Sequence, residues 1–516
     1  MSQSQQAAKS AVIIIIFTIA SKLLGFLRES LIAAKFGSGV ETDTFFIAMA
    51  AIGLFTSVIT QSINTTMIPV LSSVEIAEGK EGKNRHTNNL LNIIMILSFI
   101  ITIIAWILSP LVIRMIASGF EGEQYQLAII LMRIGLPAII FSSIIGVFRG
   151  FLQSELMFTE SAVSQLPFNF VYIFFLVFMS SFFGIKGLMV TSVLAVAVQI
   201  IFQIPGLRKN GFKYRLEMDL KDKYIRRIIH LLPPVLISVA VGDLNKVIDK
   251  SLASRLVDGS ISALNYASRL EGLITGIFIA TITTVIFPML SSAANKKTFD
   301  ELKRTIVHGI NITLLIALPS TVGMIILAKP IVKIAFQRGE FDETATMMTV
   351  GALIFYVVGL VFTGLKSLLL RVFYSLQDTK TPMVNSIIAV ILNFIFNIAL
   401  IGVMEHRGLA LATSISAAVT TFFLFLKLRK KIGPFGLLES VSCGLKSLFA
   451  TIVMGVVVYF IYTGLGSILV GNTILELIHL LIAVAIGGLI YLVLIYILKV
   501  KELEWAVENI KKKIKK

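Results

Sequence analysis

Charged side chains interrupt the first long apolar stretch of the chain, residues 11–34, which contains Lys22, Arg28 and Glu29. In a helix, Lys22 and Glu29 would lie about two turns apart on nearly one face, with Arg28 about a quarter-turn away. A charge near the middle of a bilayer costs a few kcal/mol, so it is retained where it faces a partner or a water-filled cavity. These residues therefore predict a polar interior within a membrane-spanning protein.

A second arginine occurs near the start of a later apolar segment, as Arg269, followed by Glu271. Guanidinium groups suit phosphate oxygens because they bind them bidentately and carry a fixed charge. Arg28 and Arg269 are the pair that a pyrophosphate headgroup would require. We therefore predict that these arginines bind pyrophosphate, with Lys22, Glu29 and Glu271 as supporting charges of the same cavity.

The apolar segment before Arg269 has both acidic and basic residues, Asp243, Lys246, Asp249 and Lys250. Their i, i+3 and i+4 spacings permit ion pairs along one helix. Internal neutralisation is one interpretation of this group, and a functional role is the other.

A cation site is a separate candidate. Asn393 and Asn397 are about one helical turn apart and share a face, and Thr413 follows in the next apolar segment. Together with Asp249, their oxygens could form a shell for Na⁺. Asparagine side chains in membrane helices also hydrogen-bond between helices, so both interpretations stay open.

Catalytic signatures are absent from the sequence: it has no Walker A loop, no His-Glu-x-x-His and no Gly-x-Ser-x-Gly. The 5 histidines are scattered. The sequence thus predicts a protein that is not an enzyme and that needs no cofactor. Without an ATPase, transport would be driven by Na⁺ or another gradient, by the membrane potential or by substrate supply.

Composition places the chain in the membrane. Of 516 residues, 56% are hydrophobic and 15% are charged, and the formal net charge is +17. Because the basic residues cluster between apolar runs, they indicate cytoplasmic loops and not a nucleic-acid partner. Cys443 is the single cysteine, which excludes disulfide frameworks and cysteine-based metal sites. The first apolar run has no small-residue cleavage site, so we expect a retained helix.

Apolar windows of ~20 residues predict about fourteen transmembrane spans. All should be helical, because these runs lack the alternation of a membrane barrel. The predicted spans cover residues 10–34, 44–72, 90–117, 126–150, 160–182, 184–206, 227–254, 260–290, 305–328, 344–372, 382–403, 408–428, 442–464 and 475–499.

Lysine and arginine cluster in alternate loops. The basic loops lie at 80–85, 208–227, 296–304 and 427–431, whereas 37–43 and 118–124 carry no basic residue. The loop with Lys329, Lys333 and Arg338 is an exception. By the positive-inside rule, the basic loops and both termini are cytoplasmic. We predict a multi-pass protein of the bacterial cytoplasmic membrane.

Weak internal repeats divide the chain. Residues 68–73 resemble 287–292, and residues 148–154 resemble 370–376, at the same offset in predicted spans. The repeat predicts two parallel six-helix lobes with the substrate site between them. The predicted organisation is an N-terminal lobe (1–206), a basic cytoplasmic linker (207–226), a C-terminal lobe (227–431), a final helix pair (432–500) and a basic cytoplasmic tail (501–516).

Several segments carry a family resemblance: Ser-Lys-Leu-Leu-Gly-Phe-Leu-Arg-Glu at 21–29, Ala-Lys-Phe-Gly at 34–37, Thr-Asp-Thr-Phe-Phe at 42–46, and the segments 265–270, 336–341 and 373–382. Together they resemble the MurJ/MviN family of lipid II flippases, within the multidrug/oligosaccharidyl-lipid/polysaccharide exporter superfamily. The resemblance covers the first twelve predicted spans.

The resemblance implies a two-lobed, fourteen-helix protein that moves undecaprenyl-pyrophosphate-linked disaccharide-pentapeptide to the outer leaflet by alternating access. It implies cavity roles for Arg28, Glu29 and Arg269, and a role for the acidic Asp43 before the second span. The final helix pair would form a groove for the lipid tail. The implied partners are the lipid-linked glycan and the bilayer, without nucleic acid, and an association with cell-wall synthesis enzymes stays open.

The second span departs from the family pattern. Family members usually carry basic residues there, including a cavity arginine, whereas residues 50–58 are uncharged here. Lys22 stands where arginine is common. A flippase for another polyprenyl-pyrophosphate-linked glycan (capsule, O-antigen or exopolysaccharide) is therefore an alternative. A cation-coupled drug antiporter and a non-transporting scaffold for cell-wall enzymes are further ones.

Overall fold

Long apolar runs fold as helices in lipid, because a helix satisfies its own backbone hydrogen bonds. The computed structural model describes residues 3–282, 286–295, 299–466 and 473–503. All regular secondary structure within these residues is helical. The predicted all-helical membrane fold is confirmed.

The α-helices follow one another in this order: α1 (Gln3–Phe36), α2 (Val40–Ile107), α3 (Ser109–Ile116), α4 (Gly122–Gly135), α5 (Ala138–Ser154), α6 (Phe158–Val163), α7 (Gln165–Phe178), α8 (Ser180–Lys209), α9 (Lys223–Ala253), α10 (Ser260–Thr281), α11 (Phe287–Asn295), α12 (Phe299–Ile326), α13 (Ala328–Phe336), α14 (Glu343–Val358), α15 (Leu360–Ser375), α16 (Lys380–Ile432), α17 (Leu437–Gly466) and α18 (Thr473–Ile497).

By length and apolar composition, 8 helical segments within the described residues can cross a membrane, or up to 9 if the bent pair α14–α15 counts as one span. Two of them are far longer than the ~20 residues of one crossing. Helix α2 has 68 residues with a break at Gly79, and α16 has 53 with a break at Glu405. Each can therefore hold two predicted spans, and the count of fourteen crossings stays a prediction.

The chain divides into two compact units. The first contains Met1–Ser262 and Arg338–Phe341, and the second contains Ala263–Gln337 and Asp342–Lys516. Helix α9 packs against α2 and α3, within the first unit. The predicted domain boundaries, including the linker at 207–226, stay a prediction.

The core of the first unit lies where α2 packs along α5. Met67 and Leu71 of α2 are buried there against Phe148 and Phe151 of α5. Phe212, from the segment after α8, joins the same cluster, with ring contacts to both α5 phenylalanines. This segment is therefore anchored to the helical core at its start.

The second unit is built around α12, which packs against α15 and α17. The final helices α17 and α18 form a joint core with Leu327. The Tyr491 hydroxyl donates a 2.8 Å hydrogen bond to the Leu315 carbonyl of α12. The final pair thus has a packing role, and its use as a lipid-tail groove stays a prediction.

Candidate functional site

Arg28 of α1 is held by polar contacts within the first unit. Its Nη2 forms a 2.7 Å ion pair with Glu29, and its Nη1 donates to Asn169 Oδ1 at 3.2 Å. The Asn169 amide nitrogen donates to the carbonyls of Ser21 and Gln165, which fixes its oxygen towards the arginine. The two side chains of the ion pair are only 16% and 6% exposed. The guanidinium is therefore pre-positioned and largely desolvated.

Aromatic rings complete the surroundings of Arg28. Its guanidinium carbon lies 5.4 Å from the ring centre of Phe168 and 5.1 Å from that of Tyr172, both on α7. Such cation–π contacts contribute about 2 kcal/mol at a desolvated site and restrict the plane of the guanidinium. Three residues of α7, Phe168, Asn169 and Tyr172, thus hold the Arg28 guanidinium in place between apolar helices.

The other charges predicted for the cavity differ in exposure. Lys22 is exposed on α1, and Arg269 is exposed on α10 in the second unit. Glu271, also on α10, is half-buried and accepts a hydrogen bond from the Thr275 hydroxyl. Arg28 and Arg269 thus belong to different units.

Asp43 lies at the start of α2 and is almost fully buried. Its carboxylate accepts hydrogen bonds from the Gly259 amide at 2.8 Å and from the Ser262 amide at 2.7 Å. The Ser262 hydroxyl donates to it as well, at 2.6 Å. These groups form the first turn of α10, whose amide hydrogens have no partner inside the helix. Asp43 is therefore a capping residue that joins α2 to the start of α10.

Two of the segments that carry the family resemblance contact each other. The Glu340 amide donates a 3.0 Å hydrogen bond to the Ala34 carbonyl. Gly37 and Gly339 flank this contact with φ of +64° and +59°. A Cβ on Gly339 would lie 2.1 Å from the Ala34 oxygen. Glycine is required here because the backbones approach too closely for any side chain.

The candidate cation ligands on α16 hydrogen-bond to each other. The Asn397 amide donates to Asn393 Oδ1 at 3.1 Å, and the Asn393 amide donates to Thr413 Oγ1 at 3.2 Å. These bonds connect the two halves of α16 across its break. Asp249 is half-buried on α9, in the first unit. In the described residues, no group of three or more His, Cys, Asp or Glu side chains is placed to hold a metal ion.

The charged group on α9 is described only in part, because the Asp243 side chain lies outside the described residues. Lys250 Nζ donates a 3.0 Å hydrogen bond to the Phe46 carbonyl of α2 and lies 5.8 Å from the Phe46 ring centre. This lysine therefore stabilises the packing of α9 on α2.

The region predicted as a basic loop at 80–85 is helical, and the Gly79 break of α2 directly precedes it. Lys83 is only 1% exposed and forms ion pairs with Glu75, at 2.7 Å, and with Glu155 of α5. It also lies 5.4 Å from the Phe151 ring centre. A residue expected to be solvated is thus a buried charge, which is stable only because both carboxylates accompany it.

A second polar cluster lies beside it. His86 contacts Glu78 through Nε2 at 2.9 Å and Asp222 through Nδ1. The hydrogen bond from His86, with a smaller contribution from Lys223, lowers the pKa of the Glu78 carboxyl to about 2. Asp222 also accepts the Tyr224 amide at 2.7 Å, which caps α9. The cluster fixes the start of α9 against α2.

Asp378, in the resemblance segment 373–382, caps α16. It accepts the Thr381 amide at 3.0 Å and pairs with Lys431 Nζ at 2.6 Å. Lys431 and the Thr381 amide lower the pKa of the Asp378 carboxyl to about 2. The segment thus has a structural role at the start of this helix.

Sequence reasoning missed the residues that orient Arg28. Asn169 is the single amide in the otherwise aromatic and aliphatic stretch 166–178. A lone polar side chain in an apolar membrane helix predicts a partner, and this signal could have identified it.

Comparison with known proteins gives matches along nearly the whole chain. The family model described as "Lipid II flippase MurJ" matches residues 32–480. The "Probable lipid II flippase MurJ" of Buchnera aphidicola subsp. Acyrthosiphon pisum is 28% identical, over 97% of this chain and 99% of the relative. A solved structure, "Lipid II flippase MurJ, inward closed conformation", aligns with TM-score 0.78 and 25% identity, over 94% of this chain and 98% of that one. A multidrug resistance MATE family transporter of the MOP superfamily, inward-facing, shares the fold with TM-score 0.67 and 17% identity, over 82% of this chain and 98% of that one.

Proposed function

We infer the function of this chain from its family, because it belongs to the lipid II flippase MurJ family. We propose that it moves lipid II, the undecaprenyl-pyrophosphate disaccharide-pentapeptide, from the inner to the outer leaflet for cell-wall synthesis. The observation that carries this proposal is the family match over most of the chain. The polar headgroup needs a protein route, because each unpaired polar group costs several kcal/mol in hydrocarbon.

In this proposal, Arg28 and Arg269 bind the pyrophosphate, and the isoprenoid tail stays in lipid or in a groove along α17 and α18. The contacts of Arg28 support its role, since a guanidinium held by Glu29 and Asn169 needs little reorganisation to bind phosphate. Arriving phosphate oxygens would replace part of the pairing with Glu29. The exposure of Arg269 on α10 leaves its guanidinium accessible to a ligand.

Alternating access is the proposed transport cycle. The energy source is proposed to be Na⁺ or the membrane potential. The proposed Na⁺ ligands are Asp249, Asn393, Asn397 and Thr413. By the positive-inside rule, we propose that both termini lie on the cytoplasmic side. We also propose an association with cell-wall synthesis enzymes.

A second candidate is transport of another polyprenyl-pyrophosphate-linked glycan. The uncharged stretch 50–58 of α2 favours it, because family members usually carry a cavity arginine there and this chain departs from that pattern. A drug antiporter shares the fold and would instead carry amphipathic cations.

The test is translocation by the purified protein in proteoliposomes. Lipid II, an undecaprenyl-pyrophosphate O-antigen unit and an amphipathic cation would each be offered alone, with protein-free vesicles as the control. We expect protein-dependent appearance of lipid II in the opposite leaflet, faster than for the other two substrates. Preference for the O-antigen unit would assign the protein to surface-polysaccharide export, and movement of the cation alone would support the antiporter.

A further inference from the structure

The segment between α8 and α9, residues 211–221, forms neither helix nor strand and is here called the linker segment. It leaves α8 after Lys209 and enters α9 at Lys223, so both of its ends are joined to helices of the first unit. The backbone N–H and C=O groups of a segment without helix or strand need partners from elsewhere in the protein.

Four asparagines of α2 satisfy that backbone. Asn89 binds Asp219 in both directions, donating to its carbonyl at 2.9 Å and accepting its amide at 2.7 Å. Asn88 likewise donates to the Lys213 carbonyl at 2.8 Å and accepts the Arg215 amide at 3.0 Å. The remaining contacts are Asn84 to the Gly211 carbonyl, and Asn92 to the carbonyls of Arg215 and Glu217.

These asparagines recur at i, i+4, i+5 and i+8 and therefore lie along one face of α2. Three of them are at most 5% exposed. Burying a row of amides is favourable only when each is hydrogen-bonded, and the linker segment supplies those bonds. The asparagines of α2 thus hold the linker segment in one conformation.

Held in this way, the linker segment exposes four large apolar side chains at alternate positions. Tyr214 is 57% exposed, Leu216 84%, Met218 56% and Leu220 57%. They lie outside every predicted span and outside the helices. The Tyr214 hydroxyl donates to Asn92 Oδ1 at 3.0 Å, so the apolar row consists of Leu216, Met218 and Leu220.

The surroundings of this apolar row are basic. Residues 208–227 contain eight basic side chains and three acidic ones. The basic residues are Arg208, Lys209, Lys213, Arg215, Lys221, Lys223, Arg226 and Arg227. Apolar side chains flanked by lysine and arginine match a leaflet with anionic headgroups, because long basic side chains reach phosphates while their stems lie on apolar surface.

We propose that the linker segment is a membrane-surface docking element. Leu216, Met218 and Leu220 insert at the boundary between headgroups and acyl chains of an anionic leaflet. The occupant is the bilayer because both ends of the segment join α8 and α9, which places the apolar row beside the same membrane, and because the local charge is complementary to anionic lipid. Asn88 and Asn89 hold the backbone conformation that presents the row.

The experiment places a nitroxide label on the linker segment of the full chain. Cys443 is the single cysteine and is buried, so a Cys443→Ser background accepts one label at Leu216→Cys, and in separate proteins at Leu220→Cys. The control is Glu81→Cys, an exposed position on α2 in another predicted cytoplasmic loop, 80–85. Each protein is reconstituted in vesicles of phosphatidylcholine, with and without phosphatidylglycerol, and without any lipid-linked glycan.

We expect labels at Leu216 and Leu220 to be accessible to oxygen and protected from a water-soluble nickel chelate, with greater protection when phosphatidylglycerol is present. The label at Glu81 should remain accessible to nickel in both vesicles. Nickel accessibility at Leu216 equal to that at Glu81 in both vesicle types would overturn the proposal and leave a protein partner as the occupant. Protection that does not depend on phosphatidylglycerol would overturn the claim that the segment binds an anionic leaflet. Because no substrate is present, the outcome is independent of lipid II transport.

Discussion

Removal of the Asp43 carboxylate should loosen the start of α10. Asp43→Ala leaves the Gly259 and Ser262 amides buried without their acceptor. A hydrogen bond to a charged group contributes about 1.5–3 kcal/mol net, and loss of a helix cap costs about 0.5–2 kcal/mol. Because the three bonds share one carboxylate and are not additive, we expect a total of about 3 kcal/mol.

The assay is amide hydrogen exchange of the peptide that contains residues 259–262 in purified protein. A local loss of about 3 kcal/mol corresponds to ~100-fold faster exchange through local opening. Asp43→Asn should give an intermediate rate, because its oxygen can accept from Ser262 while its NH₂ faces the Gly259 amide. Glu41→Ala is the matched control, since Glu41 is exposed on the same first turn of α2. Wild-type exchange in Asp43→Ala would refute the capping role.

Three further predictions concern stability. Lys83→Met should lower the free energy of unfolding by about 3 kcal/mol, because it leaves two carboxylates without their cation. The measurement is thermal melting. The control is Lys80→Met, an exposed neighbour on α2, which should melt like the wild type. Gly339→Ala should lower the melting temperature, since its Cβ would lie 2.1 Å from a backbone oxygen; a wild-type melting curve would contradict the close approach. Because the pKa of Asp378 is lowered to about 2, the contribution of its pair with Lys431 should be complete above about pH 4 and disappear as the pH falls towards 2. Melting of wild type and Asp378→Asn should therefore differ at neutral pH and converge in acid.

The helical fold follows from the sequence, because long apolar runs without a barrel's alternation can satisfy their backbone hydrogen bonds in lipid only as helices. Loop structure was less predictable. The stretch around Lys83 was expected to be a solvated loop on the basis of charge alone. It is helical and buried because Glu75 and Glu155 neutralise the lysine, and Glu155 is distant in sequence.

The candidate site shows the same division. The charges at Arg28 and Glu29 could be identified from their residue types, and Asp43 from the family resemblance, but their partners could not. Asn169 and Ser262 lie 141 and 219 residues from the groups that they contact, and no local pattern specifies such pairs. The four asparagines of α2 can likewise be identified in the sequence. Their function, however, depends on the linker segment, which is distant from them in the chain.

The most direct test of the account is lipid II exposure in cells. A bacterium depleted of its own lipid II flippase would express this chain, Arg28→Ala, Arg269→Ala, or Lys80→Ala as an exposed-charge control. The fraction of lipid II that an externally added hydrolase cleaves would then be measured at matched membrane levels of protein. We predict that the wild type restores cleavage and that neither arginine variant does. Restored cleavage by Arg28→Ala and Arg269→Ala would contradict the pyrophosphate site, and no cleavage with the wild type would contradict lipid II transport itself.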